Sequence, residues 1–401
     1  MIMEKPTAHS LSEIPHFCTN SHARVLVLSR RNIESHVSRV FHYEFEDVIR
    51  TIDTVDILAP VASRRGSNNA WPRRILHKLR TSANLYITHG RIKPDFDAMP
   101  VDKEYDLFFY ICRSPRDLVR LQALPHWRTR CHKAVCWLDE VWVKSLEPFR
   151  PYLDILQEFD HVFTACFYSV PVIAQALQKP CHFMASGVDT LRFCPYPLVP
   201  HRPIDVYYIG RRSTTIHRAL LEAAKRDNLF YIYDTVADFS IYDYTEHRAL
   251  YANMLKRSRY FLVHKAKFDA LHETGGQEEI GARFFEGAAG GAVLLGNAPE
   301  TEAYRTNFDW QDAVLPVPDD AKITELLADL NAQPERLARI RADNIAHSLL
   351  RHDWVYRWET VLTSVDLPPT PAMRLRQADL KQLAAMAFAQ SEPFPTSHKA
   401  Q

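Results

Sequence analysis

Two glutamates carry the first chemical signal. In "QEEIGARFFEGAAGGAVLLGN", residues 277–297, Glu278 and Glu286 stand eight positions apart. Ile280, Phe284 and Ala288 repeat at i, i+4 and i+8, and small residues fill Gly287 to Gly291. That stripe predicts a helix starting near Ile280 and packed on a sheet. The small residues let its end approach the sheet closely. A helix N-terminus at the carboxyl end of a parallel strand offers unpaired N–H donors and partial positive charge to a phosphate. It also lies where open α/β sheets bind ligands. A carboxylate on such a helix, Glu286, can accept both hydrogen bonds of a ribose diol. A second at the loop end, Glu278, can grip another polyhydroxylated ring. Diol, diphosphate and ring together describe a nucleotide-diphosphate sugar. Taken alone, the spacing also fits a surface helix with two solvated glutamates.

The elements that must position these residues form two series. "RVLVLS" (24–29), "VDILAP" (55–60), "YDLFFYIC" (105–112), "KAVCWL" (133–138), "HVFTAC" (161–166) and "CHFMAS" (181–186) are continuous apolar runs separated by polar or helical sequence. Runs without strict alternation predict strands covered on both faces, hence a parallel α/β sheet. Four prolines in "FCPYPLVPHRP" (193–203) mark a hinge. A second series follows: "DVYYIG" (205–210), "FYIYDTV" (230–236), "RYFLVHK" (259–265), "AVLLG" (292–296) and "DAVLPVP" (312–318), with helices over 215–226 and near 246–257. The chain then reads as helical to about Val365 and again over 373–389. Two doubly wound parallel sheets in tandem are expected, with a disordered tail over 391–401.

Composition is consistent with this. A chain of 401 residues exceeds the size at which one core usually keeps growing. Its 46% hydrophobic and 24% charged content is ordinary for globular protein, and a formal charge of +1 gives no global field for nucleic acid. Seven scattered cysteines, mostly in apolar runs, read as buried free thiols and fit a reducing cytoplasm. No apolar run approaches the ~20 residues of a membrane span. Residues 57–94 hold no acidic side chain but carry Arg64, Arg65, Arg73, Arg74, Lys78, Arg80, Arg91, Lys93 and Trp71. Such a stretch suits an anionic membrane surface at the cytoplasmic inner face, or a phosphorylated acceptor, as well as a solvated helix face.

"EEIGARFFEGAAGGAVLLG" resembles the donor-site segment of GT-B glycosyltransferases of the family-4-like group, with its E-x7-E motif, Gly281 three after the first glutamate and the small patch after the second. The form from Arg283 to Glu286, "R-x-F-E", resembles the CgeB-like (spore-maturation-type) branch. "GVDTLRFCP" (187–195), "DVYYIGRR" (205–212) and "HDWVYRWETVL" (352–362) resemble, in turn, the segment closing the N-terminal domain, the first strand and phosphate-facing loop of the C-terminal domain, and the tryptophan-bearing start of the helix that crosses back. Two departures stand out. "SRRNIESH" (29–36) replaces a glycine-rich loop, and His217 and Arg218 stand where a lysine is usual.

The resemblance implies a GT-B fold with an acceptor-side domain over 1–198, a donor domain over 204–352 and returning helices over 353–390. It implies sugar transfer with retention, from a nucleotide-diphosphate sugar, with no metal and no other cofactor. The acceptor would be a glycan, a lipid-linked molecule or a small molecule. Glu278 would hold the sugar, and Glu286 the ribose. Arg211, Arg212 and the backbone near Gly281 would take the diphosphate, because guanidinium forks suit phosphate oxygens. Arg218, Arg283, His272, Glu273 and Thr274 complete the expected donor set. Asp139 and Glu140, ending "CWLDE", would orient or deprotonate the acceptor hydroxyl, or simply cap the next helix. His89 in "ITHG" is a further catalytic candidate, with eighteen other histidines to compete with it. A rival reading is a non-catalytic GT-B-like protein that binds a nucleotide or glycan in a surface-assembly machine. A hydrolase with paired carboxylates fits less well, because its acids face each other from separate elements.

Overall fold

The structure is a computed structural model that describes residues 22–60, 98–236, 239–317 and 322–390. His89, the basic stretch beyond residue 60 and the 391–401 tail lie outside the described residues.

Two parallel sheets form the frame. The first holds β1 (Val25–Leu28), β2 (Val55–Leu58), β3 (Tyr105–Cys112), β4 (Cys131–Leu138), β5 (His161–Thr164) and β6 (Cys181–Phe183), in the order β2-β1-β3-β4-β5-β6. The second holds β7 (Ile204–Tyr208), β8 (Tyr231–Tyr233), β9 (Ser258–His264) and β10 (Val293–Asn297), in the order β10-β9-β7-β8. The continuous apolar runs have a simple cause. In β3, Phe108, Tyr110 and Cys112 enter one core while Leu107, Phe109 and Ile111 enter another on the opposite face. In β9, Tyr260 and Leu262 separate in the same way from Phe261 and Val263. Period-2 alternation is still present, but both faces are apolar.

Over its described part, residues 312–317, the run at 312–318 forms no strand. Leu315 makes one parallel bridge to Leu295, with Leu315 N donating to Leu294 O and Gly296 N to Leu315 O. Both polar groups of Leu315 face β10, so the next rung would fall to Val317, and Asp312, at the start of the run, has a φ of +60°, outside the strand region.

Helix Pro334–Arg351 packs on the second domain, burying Leu337 and Ile340 with Val293 and Leu295, and helices Trp354–Ser364 and Pro371–Ala389 return to the first sheet. Trp354, Trp358 and Leu362 are buried with Val25, Phe45 and Phe109. Trp354 stacks on Phe45 at 4.4 Å between ring centroids, and Trp358 Nε1 donates to Asp53 at 2.9 Å. The "GVDT" and "HDW" segments meet in space. Asp353 accepts from Thr190 N and Oγ1 and pairs with Arg376. A Cβ on Gly187 would lie 2.7 Å from the Trp354 ring, so only glycine leaves room for it. The described cysteines, six of them, are free and buried.

Candidate active site

The carboxyl ends of β7, β9 and β10 face those of β1, β3, β4 and β5 across a cleft. After β7 the chain turns at Gly210, whose φ of +71° suits glycine. Gly210 N donates to both oxygens of Asp234, and Arg212 donates to the same carboxylate at 2.5 Å. Arg211 pairs with Asp269 at 2.7 Å. Both arginines expected at a diphosphate therefore hold protein carboxylates. Arg218 is exposed on the helix Thr214–Arg226.

The helix carrying the motif runs Ala282–Ala289, with Gly281 as its N-cap. It starts two residues later than expected, leaving Glu278 in the preceding loop. There Glu278 pairs with Lys265 from the end of β9 and accepts from Glu300 N at 3.0 Å. Burial would raise its carboxyl, but these donors outweigh it and hold it below the usual range. Glu278 thus remains a carboxylate at the cleft.

Glu286 is differently disposed. It is buried, its Oε1 paired with Arg248 Nη1 and its Oε2 accepting from Tyr251 OH at 3.1 Å. Arg248, itself fully buried, reaches back with Nε and Nη2 to Glu44 on the first-domain helix Val40–Ile52, at 2.7 and 2.9 Å. Glu44 also accepts from Trp354 Nε1 and Asp189 N. Burial alone would lower the Arg248 pKa; the two carboxylates raise it above its ordinary value. The second motif glutamate thus ends a charged chain that ties four elements together beneath the cleft.

The loop before the motif reaches the first domain. Lys267 pairs with Glu273 at 2.6 Å and with Glu140 at 2.5 Å. Gln277 Oε1 accepts from Val143 N at 2.9 Å. Glu279, buried beside Glu278, accepts from Phe167 N and Tyr168 N at 2.8 and 3.2 Å. His272 is exposed, and Thr274 is buried with its Oγ1 accepting from Gly276 N. A cavity of about 510 Å³ opens here, lined by Val143, Lys144, Tyr168, Thr274, Gly275 and Gln277 from both domains.

Across the cleft, neither Asp139 nor Glu140 caps the following helix, whose N-cap is Trp142. Asp139 lies 3.0 Å from Nε2 of buried His42. Glu140 is held by Arg113, Lys267 and Trp142 Nε1. Burial would raise Glu140, but these partners bring it down to about 2. A carboxylate so acidic orients a hydroxyl better than it deprotonates one. The expected glycine-poor loop also has its reason. Arg30 binds Asp117 and Glu34, and Arg31 binds Glu46, Asp47 and Tyr244.

Sequence reasoning missed Glu44, Arg248, Lys265, Lys267, Gln277 and Glu279. Lys265 and Lys267 were findable, because they follow directly on a strand whose carboxyl end faces the site. Glu44 and Arg248 lie 204 residues apart and carry no local signal.

Residues 211–363 match the model of a family described as Glycosyl transferase-like. That stretch includes both glutamates and the loops around them. No curated protein matches the chain in sequence. Among solved structures, Anabaena HepE in complex with UDP and glucose is similar at 12% identity and a TM-score of 0.54, covering 86% of this chain and 100% of that one. The same protein with UDP-glucose aligns at 12% identity and a TM-score of 0.51, over 86% and 100% of the two chains. The fold is GT-B. Among the described residues no group of three His, Cys, Asp or Glu side chains gathers as a metal site, and no helix is long and apolar enough to cross a membrane.

Proposed function

We propose that this protein is a glycosyltransferase that moves a sugar from a nucleotide-diphosphate sugar to an acceptor hydroxyl. One observation carries the reading: the family match spans the loops that converge at the carboxyl edge of the second sheet, with the Glu278 carboxylate at the cleft. HepE, which has the same fold, forms a complex with UDP-glucose, and that supports such a donor here. In the reaction the acceptor oxygen bonds to the anomeric carbon, and the bond from that carbon to the diphosphate breaks. The electron pair leaves on the diphosphate, and the acceptor proton passes to a base. Glu278 would hold the sugar hydroxyls, and Glu140 would orient the acceptor. The two-domain cavity beside Gln277 is a route by which a glycan, lipid-linked or small acceptor would enter.

Retention, independence of a bound metal and the spore-maturation-type branch remain part of this proposal, supported by the E-x7-E and R-x-F-E forms. So does contact of residues 57–94 with an anionic membrane. The rival is a non-catalytic nucleotide- or glycan-binding protein, favoured by the arginine-filled loop after β1. Incubation with UDP-, GDP- and dTDP-sugars, with and without candidate acceptors, separates them. Turnover lost in Glu278→Gln is the expected result, and the anomer formed reports the stereochemistry. Binding without turnover would favour the rival, and absence of both would sink the donor reading.

A further inference from the structure

Three arginines surround Gly210, and two have protein counter-ions: Asp269 for Arg211 and Asp234 for Arg212. Arg283, in the first turn of Ala282–Ala289, is half-buried and has neither a carboxylate nor a hydrogen-bond acceptor among the described residues. Its guanidinium lies against Gly210. A Cβ there would come within 2.7 Å of Cζ and 2.9 Å of Nη1, so the glycine is the shelf that admits it. The nearest carboxylate on its own helix, Glu286, is already taken by Arg248 and Tyr251. No side chain caps the helix, and Gly281 packs at the end of β9, with a Cβ 3.4 Å from His264 O. A half-exposed guanidinium without a counter-charge stays hydrated and keeps its fork open to an anionic ligand. Here the fork and the uncapped helix end serve the same edge of the sheet. Two adjacent phosphates match a bidentate guanidinium beside a helix N-terminus.

We propose that Arg283, seated on Gly210, is the diphosphate anchor of the site, in place of Arg211 and Arg212. The proposal rests on the nucleotide-sugar reading. Arg211 and Arg212 then shape the loop through their own carboxylates, and Arg248 has a second consequence: by occupying Glu286 it leaves the neighbouring arginine free for the ligand.

The test is titration calorimetry of the full chain with UDP, GDP, dTDP, inorganic pyrophosphate and uridine. Arg283→Gln should bind the preferred nucleoside diphosphate about 10–100-fold more weakly, as for a lost hydrogen bond to a charged group. Uridine binding should not change, and Arg283→Lys, which keeps the charge but not the fork, should recover part of the loss. Arg211→Gln should cost less than about threefold, within the range of a surface ion pair. Removing an unpaired side chain breaks no ion pair, so equal melting of Arg283→Gln and wild type is the fold control; Arg283→Lys serves if that variant does not fold. Undiminished diphosphate binding by a folded Arg283→Gln, or by Arg283→Lys where it alone folds, would overturn the proposal and leave the donor reading standing. Pyrophosphate bound through Arg283 with no nucleoside diphosphate bound would do the reverse.

Discussion

Glu279 is buried and Glu140 partly buried at the cleft, yet their surroundings move their protons in opposite directions. Burial raises each, but Glu140 has Arg113 and Lys267, which bring it down to about 2, while Glu279 has only Gln277 and two backbone N–H groups and stays raised. The sign follows. Glu140 is more acidic folded than unfolded, so its stabilisation is fully present above the unfolded pKa near ~4.3 and is lost as pH falls toward about 2. Glu140→Gln should lower unfolding free energy by ~3 kcal/mol at pH 7, with the gap to wild type closing over that acid window. Denaturant titrations across pH check this; a gap independent of pH would mean that the charge is not responsible. Glu286 allows a sharper choice. As one end of the buried chain through Arg248, Glu286→Ala should destabilise by about 3 kcal/mol, because it strips a partner from a buried guanidinium. If it instead holds ribose, nucleotide affinity should fall by about 1.5–3 kcal/mol with melting little changed. Melting and calorimetry on one variant distinguish the two roles.

Among the elements, the returning helix shows what local sequence could reveal. Trp354, Trp358 and Leu362 were legible as a stripe because helical period is a local property. Their partners, Phe45, Trp137 and Phe109, lie more than two hundred residues away and only the fold brings them together. Trp354→Ala should cost about 3–5 kcal/mol, the range for a large aromatic removed from a core. The loss should appear as earlier exposure of β1 and β3 amides in hydrogen exchange, although those strands are unaltered. Protection unchanged in the first sheet would show that the helix is a passenger on it. The 312–318 run failed by the opposite route. Its apolar pattern suited a strand, but Asp312 takes a left-handed φ of +60° at its start, and among its described residues only Leu315 bridges to β10.

At the scale of the whole molecule, the two sheets are tied at both lips of the cleft. On one side Val143 N reaches Gln277, Phe167 N and Tyr168 N reach Glu279, and Glu140 pairs with Lys267. On the other, Val37 N donates to Phe239 O, Ile241 N to Ser35 O, and Arg31 to Tyr244 OH at 2.7 Å. Most of these are single hydrogen bonds, each worth about 0.5–1.5 kcal/mol net. A few of them together can hold a hinge without freezing it. Gln277→Ala/Glu279→Ala should therefore enlarge the radius of gyration of the ligand-free protein in small-angle scattering, and added nucleoside diphosphate should bring it back. An unchanged radius in the double variant would assign the interdomain geometry to the buried Glu44–Arg248–Glu286 chain and the returning helices instead.

The sequence by itself determined the two parallel sheets, nearly every strand, the helix that carries Glu286 and the stripe of the returning helix. All of these rest on periodicity and on backbone rules that act within a few residues. It also pointed to Glu278, Arg211, Arg212, Asp139 and Glu140, which the fold places along the cleft, because strand ends and helix starts are legible in one dimension; Arg283 entered only through the resemblance of its R-x-F-E form. Tertiary structure alone decided which charges are already satisfied. Arg211 and Arg212 meet Asp269 and Asp234, Glu286 meets Arg248, and Arg283 is left without a counter-ion among the described residues. Charge pairing depends on through-space distance and burial, and neither is encoded by spacing along the chain.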